Sequence, residues 1–245
     1  MIRFLITLIV VTIFFILSLP VFLIEWLVGK ISPAAQESSS RAVVRFAFGT
    51  VILISGVKAD YRGLENIPKD EPVMYVANHN SFFDVILNFN PLPGRIAYLA
   101  KKEFEKYFFL SIWMKFIKCL FLDRNDIKQG MKTILAAIDQ TKNGVSMFVF
   151  PEGTRSKDGN MIPFHEGTFK IATKAGCPII PVAITNTANV FENHLPAIKA
   201  QKVIIEYCEP IYTKDLSKDE VKFIGETVQK IIQQKLDDHK AEMNI

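Results

Sequence analysis

Uncharged apolar residues dominate the start of the chain. Residues 4–24 contain no charged side chain, and Arg3 and Glu25 flank them. A helix of about 20 such residues is long enough to cross a bilayer. A second apolar run, residues 43–57, is shorter and is interrupted by Arg45 and Gly49. The pattern therefore predicts a membrane-embedded hairpin of two helices over residues 1–57.

Three structures fit this N-terminal segment. Two helices joined through residues 32–40, which contain proline and four serines, form a hairpin within one leaflet. In that hairpin Arg41 and Arg45 lie one helical turn apart and reach lipid phosphates. Alternatively, residues 4–24 span the bilayer as a simple anchor, and the pattern does not decide between the two. A cleaved signal peptide is disfavoured, because its apolar region is typically about 7 to 15 residues long.

Beyond residue 57, short apolar runs alternate with helical patterns. Runs that are apolar on both faces are typical of strands covered on both sides of a sheet. They occupy residues 73–77, 96–100, 119–123, 146–150, 179–184 and 203–207. Helices are predicted at residues 126–142 and 166–175, and from a capping box at Ser217 to about His239. The alternation predicts an α/β domain over residues 58–245, with a mixed, largely parallel sheet flanked by helices.

Composition narrows the possible functions. The chain is 49% hydrophobic and its formal net charge is +4 over 245 residues. This excludes a disordered chain, gives no basic patch for nucleic acid, and suits an anionic membrane surface. The cysteines Cys119, Cys177 and Cys208 lie in or beside apolar runs, which favours a reduced, cytosol-facing chain. Neither a metal-binding motif nor a nucleotide-binding glycine motif is present, and the Gly-x-Ser-x-Gly turn of serine hydrolases is missing.

The first candidate for chemistry follows the run at residues 73–77. His79 and Asp84 are five residues apart, a spacing at which they meet only across a strand-to-helix junction. There the carboxylate fixes the imidazole tautomer and leaves His79 free as a base. A capping box, with Ser81 as N-cap and Asp84 three residues later, explains the same pattern equally well. Ser81 as a nucleophile is disfavoured because no strained turn surrounds it.

The second candidate is residues 150–156, which follow another strand. Gly153 lets the backbone approach a ligand closely, and Arg155 offers a planar fork suited to phosphate. Lys101 and Arg124 also follow strands, and ligands bind where parallel strands end. Each feature alone is ordinary for a solvated loop. Together they predict a cationic site beside His79.

Five segments carry a resemblance to a known family. They are NHNSFFD (78–84), LFLDR (120–124), FPEGTRS (150–156), PFHEGTFKIA (163–172) and IIPVAI (179–184). Their order and spacing resemble the 1-acyl-sn-glycerol-3-phosphate acyltransferases of the glycerolipid acyltransferase superfamily, over essentially the whole chain. The resemblance implies that His79 and Asp84 are the catalytic dyad. It also implies that Arg124 and the loop Glu152, Gly153, Thr154 and Arg155 contact the acceptor and its phosphate, and that residues 180–182 shape the acyl pocket.

The implied reaction belongs to phospholipid biosynthesis. His79 takes the proton from the sn-2 hydroxyl of lysophosphatidic acid as that oxygen attacks an acyl thioester, giving phosphatidic acid. Acyl-CoA or acyl-carrier protein is the co-substrate, and no cofactor, metal or nucleic acid is expected. The expected partners include membrane lipids, and the expected location is a bacterial inner membrane with the catalytic domain facing the cytoplasm. The alternatives are an acyltransferase for another lysophospholipid or a lyso-aminolipid, and a non-catalytic module that binds anionic lipid.

Overall fold

Two long helices precede the sheet in the computed structural model, which describes all 245 residues. Helix α1 is Ile2–Ile31 and helix α2 is Pro33–Ser55. The chain reverses at Ser32 alone, whose side chain accepts a hydrogen bond from the Ala35 N–H. The predicted connection over residues 32–40 is therefore wrong. Proline fits the first position of a helix and serine caps it, so residues 33–40 are the first turns of α2.

Helix α1 exposes most of its apolar surface. It is the one helix long and apolar enough to cross a membrane, judged by length and composition, and only 6% of its most apolar window is buried. Its inward side contributes Phe22 to the core, which packs against Trp113 with ring centroids 5.2 Å apart. The helix therefore has one side attached to the protein and an extended apolar side that is not covered by it.

Helix α2 is fastened to the rest of the chain by two arginines. The Arg41 side chain is buried and pairs with Glu37 at 2.8 Å, and it donates a hydrogen bond to the Ile96 carbonyl at 2.6 Å. Arg45 donates to the Leu92 carbonyl at 2.8 Å. The expectation that these arginines reach lipid phosphates is corrected by this packing. Their guanidinium groups satisfy backbone carbonyls that face the hairpin.

A seven-stranded sheet forms the centre of the domain. The strands are β1 (Lys58–Arg62), β2 (Met74–Ala77), β3 (Ile96–Lys101), β4 (Leu120–Leu122), β5 (Ser146–Val149), β6 (Ile179–Thr185) and β7 (Lys202–Tyr207). Their order is β1-β7-β6-β2-β5-β3-β4, and every pair is parallel except β6 with β7. The predicted mixed, largely parallel sheet is confirmed. The strand β1 was not predicted, because its sequence KADYR is mostly polar and lacks an apolar run. In the structure it is partly exposed.

Helices cover both faces of the sheet. They are α3 (Phe83–Phe89), α4 (Phe108–Phe116), α5 (Ile127–Lys142), α6 (Lys170–Ala175), α7 (Lys218–Lys222) and α8 (Ile224–Met243). One core cluster joins the hairpin, α3 and α4 to one face, and a second joins α5, α6 and α8 to the other. The hairpin therefore shares a hydrophobic core with the α/β domain.

Candidate active site

His79 and Asp84 meet at the junction between β2 and α3. The strand β2 ends at Ala77, and Asp84 lies in the first turn of α3. The Nδ1 atom of His79 lies 2.8 Å from Oδ2 of Asp84. The strand-to-helix geometry considered from the five-residue spacing is thus the one that the chain adopts.

The Asp84 carboxylate is fully buried and makes four hydrogen bonds. Besides the His79 ring, Oδ2 accepts the backbone N–H groups of Asn80 at 2.7 Å and Ser81 at 2.8 Å. Oδ1 accepts the Thr187 hydroxyl at 2.6 Å. The predicted capping box is wrong in its N-cap, which is Phe82 and not Ser81, and the Ser81 hydroxyl accepts the Phe83 N–H. The Asp84 carboxylate nevertheless binds the Ser81 N–H and the imidazole together, so one side chain orders the helix entry and orients His79.

The His79 ring is held by stacking as well as by hydrogen bonding. It stacks on Phe150, with ring centroids 4.0 Å apart and planes 20° apart. Because a carboxylate only accepts, the proton between His79 and Asp84 belongs on Nδ1. The Nε2 lone pair is then free, and His79 is a wall residue of a cavity. This arrangement provides a general base.

The loop after β5 is joined to His79 through the backbone. Glu152 accepts the His79 N–H at 2.8 Å and the Ile162 N–H at 2.9 Å, and the His79 carbonyl accepts the Ser156 N–H at 2.8 Å. Burial raises the pKa of the Glu152 carboxyl, and the N–H groups of Ile162 and His79 partly oppose that rise. Glu152 is 2% exposed and does not line the cavity. In place of the expected acceptor contact, its carboxylate positions His79.

Gly153 brings this loop close to Arg124. Its φ of +78° is in the left-handed region, and a Cβ atom there would lie 2.8 Å from the Arg124 guanidinium. A side chain at this position would therefore displace Arg124. Gly153 therefore lets the loop backbone and the Arg124 guanidinium lie side by side in the wall of the cavity that His79 lines.

The cavity beside His79 has a volume of about 370 Å³ and lies at the carboxyl ends of the strands. Its polar wall includes all the predicted substrate-binding positions except Glu152: Lys101, Arg124, Gly153, Thr154 and Arg155. Fourteen of its 20 lining residues are hydrophobic. The site therefore combines a base, three cations and an apolar wall. Residues 180–182, which the resemblance places at the acyl pocket, do not line this cavity and lie buried within β6.

A second cavity of about 590 Å³ lies against the hairpin. Of its 24 lining residues 22 are hydrophobic. Six residues line both cavities: Phe48, Phe82, Ile86, Leu110, Met114 and Ile117. The two spaces therefore adjoin, and an apolar region extends from the His79 site to the helices α1 and α2.

Two residues that contact the site were not predicted from the sequence. Thr187 bonds Asp84, and Glu192 accepts the Ser81 hydroxyl at 2.6 Å and pairs with Arg155 at 2.8 Å. Both follow β6. Neither belongs to a recognisable motif, and the rule that strand ends share one edge is the only signal that points to Thr187.

The nucleophile candidates are buried. Ser81 is fully buried with its hydroxyl donated to Glu192. The three cysteines are buried and free, and burial raises the pKa of the Cys119 thiol to about 11. Cys119 lines the cavity but remains a neutral thiol near neutral pH. No group of three or more His, Cys, Asp or Glu side chains is placed to hold a metal ion.

Comparisons with known proteins show what the chain is similar to. Residues 58–185 match the family described as Acyltransferase. The chain is 30% identical over 214 residues to 1-acyl-sn-glycerol-3-phosphate acyltransferase of Saccharomyces cerevisiae, covering 86% of this chain and 68% of that protein. It is 28% identical over 197 residues to the Salmonella typhimurium protein of that name, covering 77% of each.

A solved structure is similar along almost the whole chain. It is the 1-acyl-sn-glycerophosphate acyltransferase PlsC of Thermotoga maritima, with a TM-score of 0.81 and 25% identity. The match covers 98% of this chain and 95% of that one. It therefore includes the N-terminal helices as well as the sheet.

Proposed function

Because the chain belongs to the acyltransferase family, as a 1-acyl-sn-glycerol-3-phosphate acyltransferase, we propose that it transfers an acyl group from a thioester to the sn-2 hydroxyl of lysophosphatidic acid. Relatives named for this acceptor support its identity. The observation that carries the proposal is the His79 ring, which is oriented by Asp84 at 2.8 Å and lines the same cavity as three cations.

The proposed reaction is direct transfer. Nε2 of His79 takes the proton of the acceptor hydroxyl while that oxygen bonds to the thioester carbonyl carbon. The tetrahedral intermediate then collapses, the carbon–sulfur bond breaks, and the thiolate takes the proton back from the imidazolium. Asp84 stabilises that imidazolium. The backbone N–H groups of Thr154 and Arg155 donate to no protein acceptor and lie in the cavity-lining loop, where they are available to the oxyanion.

A covalent enzyme intermediate has no support in this site. Ser81 is fully buried, and its hydroxyl is already donated to Glu192. Burial keeps Cys119 as a neutral thiol, with a pKa of about 11. A histidine base with no activated nucleophile beside it suits attack by the substrate's own hydroxyl.

The cations of the cavity suit the acceptor's phosphate. Arg155 and Arg124 present guanidinium forks, which bind phosphate oxygens bidentately, and Lys101 adds a point charge. The adjoining 590 Å³ cavity suits an acyl chain, since each buried methylene contributes about 0.8 kcal/mol. We therefore place the phosphate at the polar wall and acyl chains along the hairpin side.

Membrane association follows from the same arrangement. Helix α1 presents a long exposed apolar surface beside the apolar cavity. Lysophosphatidic acid and phosphatidic acid both reside in a membrane leaflet. A cavity that opens toward helices in contact with that leaflet shortens the path of both lipids between the membrane and the active site. Buried free cysteines favour a catalytic domain on the cytoplasmic side.

The test is a product analysis with purified protein in vesicles. Acyl-CoA and acyl-carrier-protein donors are each combined with lysophosphatidic acid or with a lysophospholipid whose phosphate is capped. We expect phosphatidic acid acylated at sn-2 and little product from the capped acceptor. Equal use of both acceptors would contradict the phosphate assignment.

A matched pair of histidine variants tests the base. His79→Ala should lower the rate about 10² to 10⁴-fold, the usual effect of removing a general base. The exposed His165 lines neither cavity, so His165→Ala should keep wild-type activity. Near wild-type turnover of His79→Ala would rule out the proposed mechanism.

A further inference from the structure

Glu192 connects the two loops that build the site. It begins a short 3₁₀ turn, Glu192–His194, in the segment after β6 and outside the residues matched by the family. Its side chain is 17% exposed, and both carboxylate oxygens accept hydrogen bonds. We propose that Glu192 is a positioning residue that holds Arg155 for the acceptor's phosphate and ties it to the loop that carries the dyad. This inference rests on the proposed function.

On one side Glu192 holds the entry to α3. Its Oε2 accepts the Ser81 hydroxyl at 2.6 Å, and its Oε1 accepts the Phe82 N–H at 2.8 Å. Ser81 and Phe82 are the turn through which the chain passes from His79 to Asp84. The carboxylate thus stabilises the conformation that lets Asp84 reach the imidazole.

On the other side Glu192 orients Arg155. Nη1 of Arg155 lies 2.8 Å from Oε1 of Glu192, and the guanidinium lies 3.9 Å from the centre of the Phe82 ring. The ion pair with Glu192 at the edge of the guanidinium and the Phe82 ring against its face together fix the plane of the Arg155 guanidinium. A guanidinium has five N–H donors, so the pair leaves donors for a phosphate. Arg155 also lines the cavity with His79, so those donors lie close to the base.

An ordinary surface ion pair is the competing explanation. Exposed pairs contribute about 0 to 1 kcal/mol and are screened by salt. Glu192 differs because it is mostly buried and also accepts a hydroxyl and a backbone N–H. The two explanations make opposite predictions. If Glu192 only adds negative charge beside a phosphate site, its removal improves acceptor binding, whereas if it positions Arg155, its removal impairs binding.

The main test is Glu192→Gln, with kinetics varied separately in lysophosphatidic acid and in the thioester. Glutamine keeps the shape and one acceptor for Phe82, but it cannot form the ion pair with Arg155. We expect the acceptor's kcat/KM to fall about tenfold, mostly through KM, and the donor's KM to change less than about twofold. Glu242→Gln is the matched control, because it breaks the Arg62–Glu242 pair outside the cavity and should change neither constant.

A double variant tests whether Glu192 acts through Arg155. Arg155→Ala combined with Glu192→Gln should show an acceptor KM no higher than that of Arg155→Ala alone. Ser81→Ala removes the Ser81–Glu192 hydrogen bond and the acceptor of the Phe83 N–H, but it keeps the Phe82–Glu192 bond and the Arg155 pair. It should therefore lower kcat and leave the acceptor KM unchanged. If Glu192→Gln proves unstable by thermal melting, Glu192→Asp keeps the negative charge but withdraws the carboxylate by one methylene. The acceptor KM should then rise if Glu192 positions Arg155 and stay unchanged if Glu192 contributes only charge.

The possible failures are distinguishable. A lower acceptor KM in Glu192→Gln, or additive effects in the double variant, would overturn the positioning role while leaving the proposed function intact. An Arg155→Ala variant with unchanged acceptor constants would overturn both the placement of the phosphate at Arg155 and the role of Glu192.

Discussion

Asn78 and Ile184 are joined by two hydrogen bonds that fasten the end of β2 to β6. The Asn78 Oδ1 accepts the Ile184 N–H, and its Nδ2 donates to the Ile184 carbonyl, each at 2.9 Å. Asn78 is 1% exposed and directly precedes His79. One side chain must supply both a donor and an acceptor here, which an amide does and a carboxylate does not.

The first prediction follows from this pair. Asn78→Asp removes the donor and buries a negative charge, so we expect a loss of about 3 kcal/mol in the free energy of unfolding and much lower activity. Urea unfolding and turnover of the same preparation would measure both. A stable and fully active Asp variant would show that the backbone of Ile184 does not depend on the amide.

The sequence predicted the location of the site better than its internal contacts. The cavity-lining positions Lys101, Arg124 and Arg155 were placed together with His79, because each follows an apolar run and parallel strands end at one edge. The contact between Asp84 and Thr187 joins residues 103 positions apart, and no periodicity encodes it. Only tertiary packing reveals such contacts.

The arginines of α2 show a different limit. An arginine in a helix next to an apolar run has the same local pattern whether it contacts a lipid headgroup or a buried carbonyl. Arg41 proves to be buried, with its guanidinium on Glu37 and on the Ile96 carbonyl. Whether Arg41 contacts lipid or protein depends on how the start of β3 packs against α2, and sequence periodicity does not predict that packing.

The second prediction concerns Asp84. The N–H groups of His79, Asn80 and Ser81 all bind Oδ2, and the Thr187 hydroxyl binds Oδ1. Asp84→Asn can keep its single oxygen on the N–H groups only by turning its NH2 group toward Thr187, and it has no negative charge to strengthen these bonds or to stabilise an imidazolium. We expect activity to fall by several orders of magnitude, together with a stability loss of about 1 to 3 kcal/mol. His79→Ala is the control, because it removes activity but keeps the hydrogen bonds from the N–H groups of Asn80 and Ser81 to Asp84 at the start of α3. Full activity in the Asn variant would contradict the dyad.

The third prediction tests the role of Arg41. Arg41→Met leaves the Ile96 carbonyl without its donor and removes one cation from Glu37, so we expect a stability loss of about 3 kcal/mol. Residual activity should fall by the same factor on anionic and on neutral vesicles, because Arg41 does not reach the lipid. The exposed Lys30→Gln provides the comparison for a surface charge near the membrane. A selective loss on anionic vesicles in Arg41→Met would favour headgroup binding.

The fourth prediction concerns pH and Glu206. Burial opposes ionisation, but hydrogen bonds from Lys235 at 2.6 Å and His239 at 2.7 Å hold the pKa of Glu206 below its ordinary value of 4.5. A depressed folded-state pKa contributes stability above the unfolded pKa and loses it as pH falls through the folded pKa. Glu206→Gln should therefore cost about 1 kcal/mol at pH 7, and the difference should shrink below about pH 4.5. Denaturant titrations of both proteins between about pH 3 and pH 7 measure this difference in the free energy of unfolding. A difference that stays constant over that range would show that the ion pairs of Glu206 do not contribute.

The last prediction separates the charge of Arg155 from its shape. Arg155→Lys keeps the positive charge but loses the fork and the planar face that lies over Phe82, so an ammonium should not replace the guanidinium. We expect the acceptor's kcat/KM to fall about ten- to hundredfold in both Arg155→Lys and Arg155→Ala, since each charge-assisted contact contributes about 1.5 to 3 kcal/mol. The donor's KM should move far less, and separate titrations of lysophosphatidic acid and thioester measure the difference. If Arg155→Ala weakened the donor and left the acceptor unchanged, Arg155 would belong to the thioester side of the cavity, and the phosphate would have to be placed at Arg124 and Lys101.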